Sequence, residues 1–404
     1  MSFDIEKIRR QFPALAEKTK SGKPIVYFDN AATTFFKPPQ VIDCVLDSLK
    51  NPANANRGGH SLSVAATAKI TEVRNKVARM VNLSDPLNVA FSQNCTSALN
   101  LAILGSVKRR GFHVITSVHE HNSVLRPLFE LRQRGIISLS VLAPDRENRL
   151  TAQAVQNAFN KDTRLVVLSH VSNVVGFVND VASIGDLCRR AGVTFIVDAA
   201  QSAGYTEIDM QRMKIDLLAF PAHKGLHGIQ GCGCLCFNEE SKPKPIIFGG
   251  TGSQSNLLLQ PKDSPDCFEA GTLNTPAILA LGEAIEWHSE NGKNNHAQIE
   301  LVANTVKEGL KEIPDVHIMS LKNPSGIVSF RIGDSSSDKI SDILSEQYGI
   351  AVRSGLHCAP LCHKFLGTEK TGLVRVSVSG QNTLKEAYIF LNAIEHIAKN
   401  LRSQ

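Results

Sequence analysis

Val193-Thr194-Phe195-Ile196-Val197-Asp198-Ala199-Ala200-Gln201 joins an apolar, β-rich run to a carboxylate and a turn of small residues. A strand that reads as almost continuous apolar residues is buried on both faces, as in a parallel sheet. A carboxylate at its end is costly to bury unless a cation meets it. A helix N-cap is the plainer role for such an Asp. The pattern recurs on either side. Val89-Ala90-Phe91 leads into residues 92–97 and a helix from about Ala98, 113–116 into 117–123, and 165–168 into 169–173. A further apolar run, 215–220, leads into Pro221-Ala222-His223-Lys224-Gly225. Strands alternating with helices predict an α/β fold with a mainly parallel sheet covered on both faces. Ligands of such sheets bind beyond the carboxyl ends of the strands, where these polar loops fall.

Lys224 gives Asp198 a meaning beyond capping. A lysine amid small and apolar residues is pushed toward the neutral amine that a Schiff base requires, although a lysine taken alone is usually a surface residue. A carboxylate for a protonated pyridine nitrogen and an amine for an aldehyde, at matching strand ends, point to pyridoxal phosphate. Ser92-Gln93-Asn94-Cys95-Thr96-Ser97 lies between a strand and a helix. Its backbone N–H groups and the Thr96 hydroxyl could hold the phosphate, or simply cap the helix. His121, in Val118-His119-Glu120-His121-Asn122, could stack on the cofactor ring, and Asn173 and Gln201 could bond its phenolic oxygen. Each also reads as an ordinary polar loop residue.

The remaining sequence bounds the setting. A chain of 404 residues suits about two domains, and 42% hydrophobic with 20% charged residues is a globular balance. After Ile246 the texture turns rich in Gly, Ser and Pro as far as about Pro276. A long helix follows with Ile278, Leu281, Ile285 and Trp287 on packing spacings, and the tail from about Val316 reads as a smaller α+β domain. The longest uncharged stretch, 86–107, is broken by polar residues and is not expected to span a membrane. The N-terminus lacks a signal-peptide core, so a cytoplasmic address is expected. The formal charge of +6 is dispersed, with short clusters such as Lys108-Arg109-Arg110, and nucleic-acid binding is not expected. The nine cysteines are odd in number and irregularly spaced, which suits reduced thiols.

Several motifs resemble one family in order. They are Tyr27-Phe28-Asp29-Asn30-Ala31-Ala32-Thr33-Thr34, Arg57-Gly58-Gly59-His60, Glu120-His121-Asn122-Ser123, Val197-Asp198-Ala199-Ala200-Gln201, His223-Lys224-Gly225, Phe268-Glu269-Ala270-Gly271-Thr272 and Arg375-Val376-Ser377. Over residues 20–395 or so the chain resembles class V aminotransferase-fold enzymes, and in detail their cysteine desulfurase and selenocysteine lyase branch. The resemblance implies the pyridoxal-phosphate-dependent, aspartate-aminotransferase-like α/β fold. Its large domain, 23–270, would carry a mainly parallel seven-stranded sheet. Residues 271–404 would form a linking helix and the smaller C-terminal α+β domain, with the segment 1–22 packing on it. By the same resemblance Lys224 would carry the cofactor, Asp198 would meet its ring nitrogen and His121 would stack on the ring. Asn173 and Gln201 would face the ring oxygen, and Cys95, Thr96 and His223 would lie at the phosphate. Thr272 would reach the phosphate of a neighbouring subunit, implying a homodimer. Arg375 would grip the substrate carboxylate, with Arg353, Asn30 and Ala32 on the substrate side.

Arg353-Ser354-Gly355-Leu356-His357-Cys358-Ala359-Pro360-Leu361 resembles the family's loop bearing a persulfide-forming cysteine. The resemblance therefore implies desulfuration of L-cysteine, or L-selenocysteine, to L-alanine, with the sulfur passed from Cys358 to an acceptor protein or small thiol. His357 and Arg353 could both favour the thiolate. His357, Cys358, Cys362 and His363 could instead be metal ligands, but Ala359-Pro360-Leu361 is a tight spacer and no metal is expected. Cys232, Cys234 and Cys236 alternate like packing positions of a strand. The match departs at Pro221-Ala222, where the family usually has Ser or Thr followed by Gly, since proline offers a phosphate neither hydroxyl nor N–H. Cys95, Ser97 and Asn56 depart as well. Two other readings stay open: a different reaction on the same scaffold, such as transamination, and an impaired relative that acts by binding a partner.

Overall fold

The computed structural model describes residues 5–12, 15, 18–19, 22–55, 58–145 and 150–403, so Asn56 and Arg57 lie outside the described residues. The chain divides into two compact units. The larger comprises Lys37–His170 and Asn179–Ser289, the smaller Met1–Phe36, Val171–Val178 and Glu290–Gln404. Helix Thr275–Lys311 contains the division between 289 and 290, and its Ile278, Leu281, Ile285 and Trp287 are buried as their spacing predicts.

The larger unit holds seven strands in the order Val89–Ser92, Gly233–Phe237, Leu217–Pro221, Thr194–Asp198, Thr163–Ser169, Phe112–Ser117, Ile137–Leu142. Gly233–Phe237 runs antiparallel to both neighbours, and the other pairings are parallel. This is the mainly parallel seven-stranded α/β sheet that the sequence implied. Two antiparallel steps restore direction, so Val89–Ser92 points the same way as the parallel strands. Ser92, Ser117, Ser169, Asp198 and Pro221 therefore all end at one edge of the sheet.

Apolar residues on both faces make this arrangement stable. Val114, Ile115, Val166, Val167, Phe195, Ile196 and Leu218 are fully buried. Leu99 and Ile103 of helix Cys95–Ser106 and Val124 and Leu128 of helix Asn122–Gln133 join one core cluster with Val114, Leu165, Ile196 and Leu235. Each such side chain contributes about 1.5–3 kcal/mol on burial. Two boundaries differ from expectation. The first helix begins at Cys95 rather than near Ala98, because the Asn94 side chain accepts the Ser97 N–H at 2.9 Å. The strand expected from Ile215 begins at Leu217, because the Asp216 carboxylate turns onto the Phe195 N–H at 2.8 Å. Cys234 and Cys236 sit on the buried strand Gly233–Phe237, with Cys232 buried beside it, as packing positions. All nine cysteines are free thiols.

The smaller unit contains an antiparallel sheet in the order Val374–Ser377, Ile327–Ile332, Val316–Ile318, and a parallel pair Val26–Tyr27 with Ile350–Ala351. Helix Leu384–Arg402 covers them, its Phe390 ring meeting Phe28 and Phe330 edge-on at 5.8 and 6.0 Å. Arg9 pairs with Glu386 of that helix at 2.8 Å. No helix among the described residues is long and apolar enough to cross a membrane.

Glu269 is the buried acceptor on which one side of the larger unit depends. It takes two parallel bonds from Arg74 at 2.8 and 2.9 Å and the Phe91 N–H at 2.7 Å, while Arg74 also donates to the Val89 carbonyl. Removing one partner of a buried pair strands the other's charge. Glu269→Ala is expected to cost about 3–5 kcal/mol in denaturant unfolding, whereas a loss below about 1 kcal/mol would mean that the pair acts like an exposed one.

Candidate active site

Asp198 is the last residue of strand Thr194–Asp198 and is buried. Its Oδ1 accepts the Ala200 N–H at 2.9 Å, with the Cys95 thiol 3.8 Å away. The residues that follow form turns rather than a helix, so the capping is local. Burial pushes the Asp198 pKa up, against the Ala200 N–H, the Lys224 charge and the Cys95 thiol, which pull it down. The protein's own partners do not outweigh burial, so a further cation would favour the anionic form of Asp198. A protonated ring nitrogen would be such a cation, and on this observation the residues fit pyridoxal phosphate. The Cys95 thiol is held protonated by burial and by the Asp198 carboxylate, which makes it a donor rather than a nucleophile.

Lys224 lies in the turn after strand Leu217–Pro221. Two glycines bring neighbouring backbone close to it: a Cβ on Gly204, whose φ is +83°, would lie 2.4 Å from the Gly225 carbonyl carbon. Across Pro221, its sheet partner Gly233 leaves the same kind of space, since a Cβ there would lie 2.4 Å from the Asn94 carbonyl carbon. That close approach seats the start of helix Cys95–Ser106 against the strand ends.

The N–H groups of Cys95 and Thr96 open that helix and have no intrahelical acceptor, so they suit an anion. The Thr96 hydroxyl is 2.8 Å from Ser123 Oγ, which is 2.9 Å from His121 Nδ1. His121 caps helix Asn122–Gln133 by accepting the Ser123 N–H at 3.0 Å, which fixes its ring. Gln201 is buried in the turn after Asp198. His223 is pulled down to about 4 by burial and by the Lys224 and Lys37 charges, so near neutrality it offers a hydrogen bond without a charge. Pro221 has no N–H, and the Ala222 N–H goes to the Cys232 carbonyl at 3.1 Å. The departure at Pro221 therefore removes a backbone donor as well as a hydroxyl, and the Ala222 N–H is already engaged.

Three residues of this unit were missed by sequence reasoning. Ser123 links Thr96 to His121, and its signal was its place as the second residue of a helix that His121 caps. Glu120 accepts from Ser117 Oγ at 2.6 Å and the Ser169 N–H at 2.7 Å, clamping two strand ends. Burial, reinforced by Asp198, pushes Glu120 up to about 8 against those two bonds. Lys37 donates to the His223 carbonyl at 3.3 Å. Nothing local marks a lysine ahead of Pro38-Pro39 as buried.

The smaller unit carries Cys358, Arg353, Arg375 and Asn173. Arg375 is fully buried on strand Val374–Ser377 and donates to Asp29 Oδ1 and to the Asn173 carbonyl, each at 3.0 Å. The Asn173 amide donates to the His357 carbonyl at 2.7 Å, tying the cysteine loop to the arginine. His357 and Cys358 have φ of +48° and +59°, two successive residues in the left-handed region at a cost of about 1–2 kcal/mol each. Arg353 Nη2 lies 3.6 Å from Cys358 Sγ and donates to it. The expected help from His357 is not found. Burial, then the Arg375, His363 and Arg353 charges, pull it down to about 2, and its Nε2 bonds the Leu373 carbonyl at 3.1 Å. His357 is a neutral strut.

Asn30 donates to the Ser377 carbonyl at 2.9 Å and to Asn382 Oδ1 at 3.2 Å, so its amide braces the turn that contains Ala32. Thr272 is exposed on the larger unit. Among the described residues no cluster of three or more His, Cys, Asp or Glu could hold a metal ion.

Comparison with known proteins agrees with this chemistry. The aminotransferase class-V family profile matches residues 26–390. A probable cysteine desulfurase of Methanothermobacter thermautotrophicus is 34% identical over 97% of this chain and 98% of its own. A cysteine desulfurase of Escherichia coli is 31% identical over 99% of this chain and all of its own. The apo structure of a cysteine desulfurase from Thermococcus onnurineus superposes with a TM-score of 0.89 at 32% identity, covering 98% of both chains. The chain belongs to the class V aminotransferase family and, within it, to the cysteine desulfurase branch of pyridoxal-phosphate-dependent enzymes.

Proposed function

We propose that this chain is a cysteine desulfurase that takes the sulfur of L-cysteine onto Cys358 and releases L-alanine. The observation that carries the reading is Cys358 on a left-handed loop with its sulfur 3.6 Å from Arg353, an arrangement transamination has no use for. In this reading residues 23–270 are the cofactor-binding domain, and 271–404 with 1–22 make the small domain. Nine free thiols suit the reducing cytoplasm.

Bound at the strand ends, pyridoxal phosphate supplies an electron sink that acidifies the substrate Cα. Asp198 would hold its ring nitrogen, Lys224 would anchor its aldehyde carbon, and His121 would stack on the ring. Gln201 and Asn173 would bond the ring oxygen. Thr96, His223 and the helix start at Cys95 would hold the phosphate. Arg375 would grip the substrate carboxylate, its bonds to Asp29 and the Asn173 carbonyl holding the guanidinium in place. Arg353, Asn30 and Ala32 lie on the substrate side. The Lys224 amine, displaced by substrate, takes the Cα proton. The Cys358 thiolate then attacks the substrate sulfur: a sulfur–sulfur bond forms, the carbon–sulfur bond breaks with its electron pair passing to carbon, and protonation gives alanine. An acceptor protein or small thiol afterwards takes the outer sulfur by the same kind of attack.

Thr272 belongs to this scheme as a phosphate contact of a second subunit in a homodimer. The exposed Phe248, Leu258 and Leu259, in the stretch leading to Thr272, support that reading. L-selenocysteine presents the same carboxylate and amine and is a further substrate.

Two experiments test the assignment. The purified protein should show a visible band with pyridoxal phosphate that Lys224→Ala lacks. Cys358→Ser should keep the band yet lose alanine release by about 100-fold or more; retained turnover would favour transamination, and no band at all a binding protein. Second, Arg353→Met should slow alkylation of Cys358 by a neutral reagent at fixed pH by about threefold or more. An unchanged rate would remove Arg353 from the activation of the thiol.

A further inference from the structure

Lys37 is a half-buried ionisable group beside the Lys224 turn that the scheme above leaves without a task. It precedes helix Pro39–Lys50, whose first turn Pro38 and Pro39 fix in direction. Its Nζ donates to the His223 carbonyl at 3.3 Å, the carbonyl of the residue immediately before Lys224. Burial pulls its pKa down to about 7, and no carboxylate among the described residues offsets that. A protonated lysine held in such a place is expensive, and proteins keep one where its charge is used.

We propose that Lys37 is a positioning residue for Lys224, fixing the turn through the His223 carbonyl and setting a second positive charge beside it that favours the neutral amine. A nearby cation is one of the two ways of activating a lysine, desolvation being the other. The remaining charged and titratable groups around this turn are Asp198, Cys95 and His223, with Glu120 acting on Asp198. Asp198 pulls the other way, favouring a charged Lys224, and the protonated Cys95 and neutral His223 contribute no charge. While protonated, Lys37 is a cation that can oppose Asp198. After burial, the Lys224 and Lys37 charges both pull the His223 pKa down.

The inference rests on Lys224 bearing the cofactor, and a pH titration of the visible absorption of the holoenzyme reads it without turnover. Lys37→Met should move the midpoint of that titration upward by about half a pH unit or more. Lys37→Gln keeps a donor for the His223 carbonyl without the charge and should move it likewise, whereas Lys37→Arg should leave it no higher than in the wild type. Unmoved midpoints in the Met and Gln variants, at wild-type melting temperature, overturn the proposal while the cofactor assignment stands. A wild-type protein with no visible band overturns both.

Discussion

A carboxylate at the end of a buried strand is the constraint around which the larger unit is organised. Asp198 has an amide, a thiol and a lysine for company, and burial still pushes its pKa upward. Burial disfavours a charge in such surroundings, so a cation that completes the site stabilises the anionic form of Asp198. The sheet explains why the other pieces lie at hand. One antiparallel strand between Val89–Ser92 and Leu217–Pro221 lets every other strand end at the same edge. Thr96, Glu120, His121, Gln201, His223 and Lys224 all follow such ends. Gly204 and Gly233 then allow backbones to touch where a side chain would hold them apart.

The smaller unit solves a different problem, which is to hold a thiol ready without burying it. Its device is local strain stabilised from behind. Asn173 and the neutral His357 anchor the loop to Arg375 and to the Leu373 carbonyl, so two successive left-handed residues persist at Cys358. Arg353 supplies the charge. Histidine beside a reactive cysteine invites an ion-pair reading. Here burial between cations forbids it, and the histidine serves through shape and one hydrogen bond.

Much of this was legible in the residues because the signals are short in range. Apolar runs ending in small polar turns gave the strands and the edge at which they stop, and the pairing of Asp198 with Lys224 gave the cofactor. Cys95 and Thr96, poor helix formers, hid the true helix start, which depends on the Asn94 cap. Ser123, Glu120 and Lys37 could not be singled out, because what matters about them is contact across the sheet edge and burial. The neutrality of His357 was hidden for the same reason: burial and the Arg375 charge reach it through space, whereas the sequence places only Arg353, Cys358 and His363 nearby.

The most direct measurement is the mass of the tryptic peptide containing Cys358 after the holoenzyme meets one equivalent of L-cysteine and is trapped with an alkylating agent. The account predicts one extra sulfur on that peptide and on no other cysteine-containing peptide, with alanine formed in equal amount. Alanine formed with no sulfur on Cys358, or extra sulfur on a different cysteine, would contradict it.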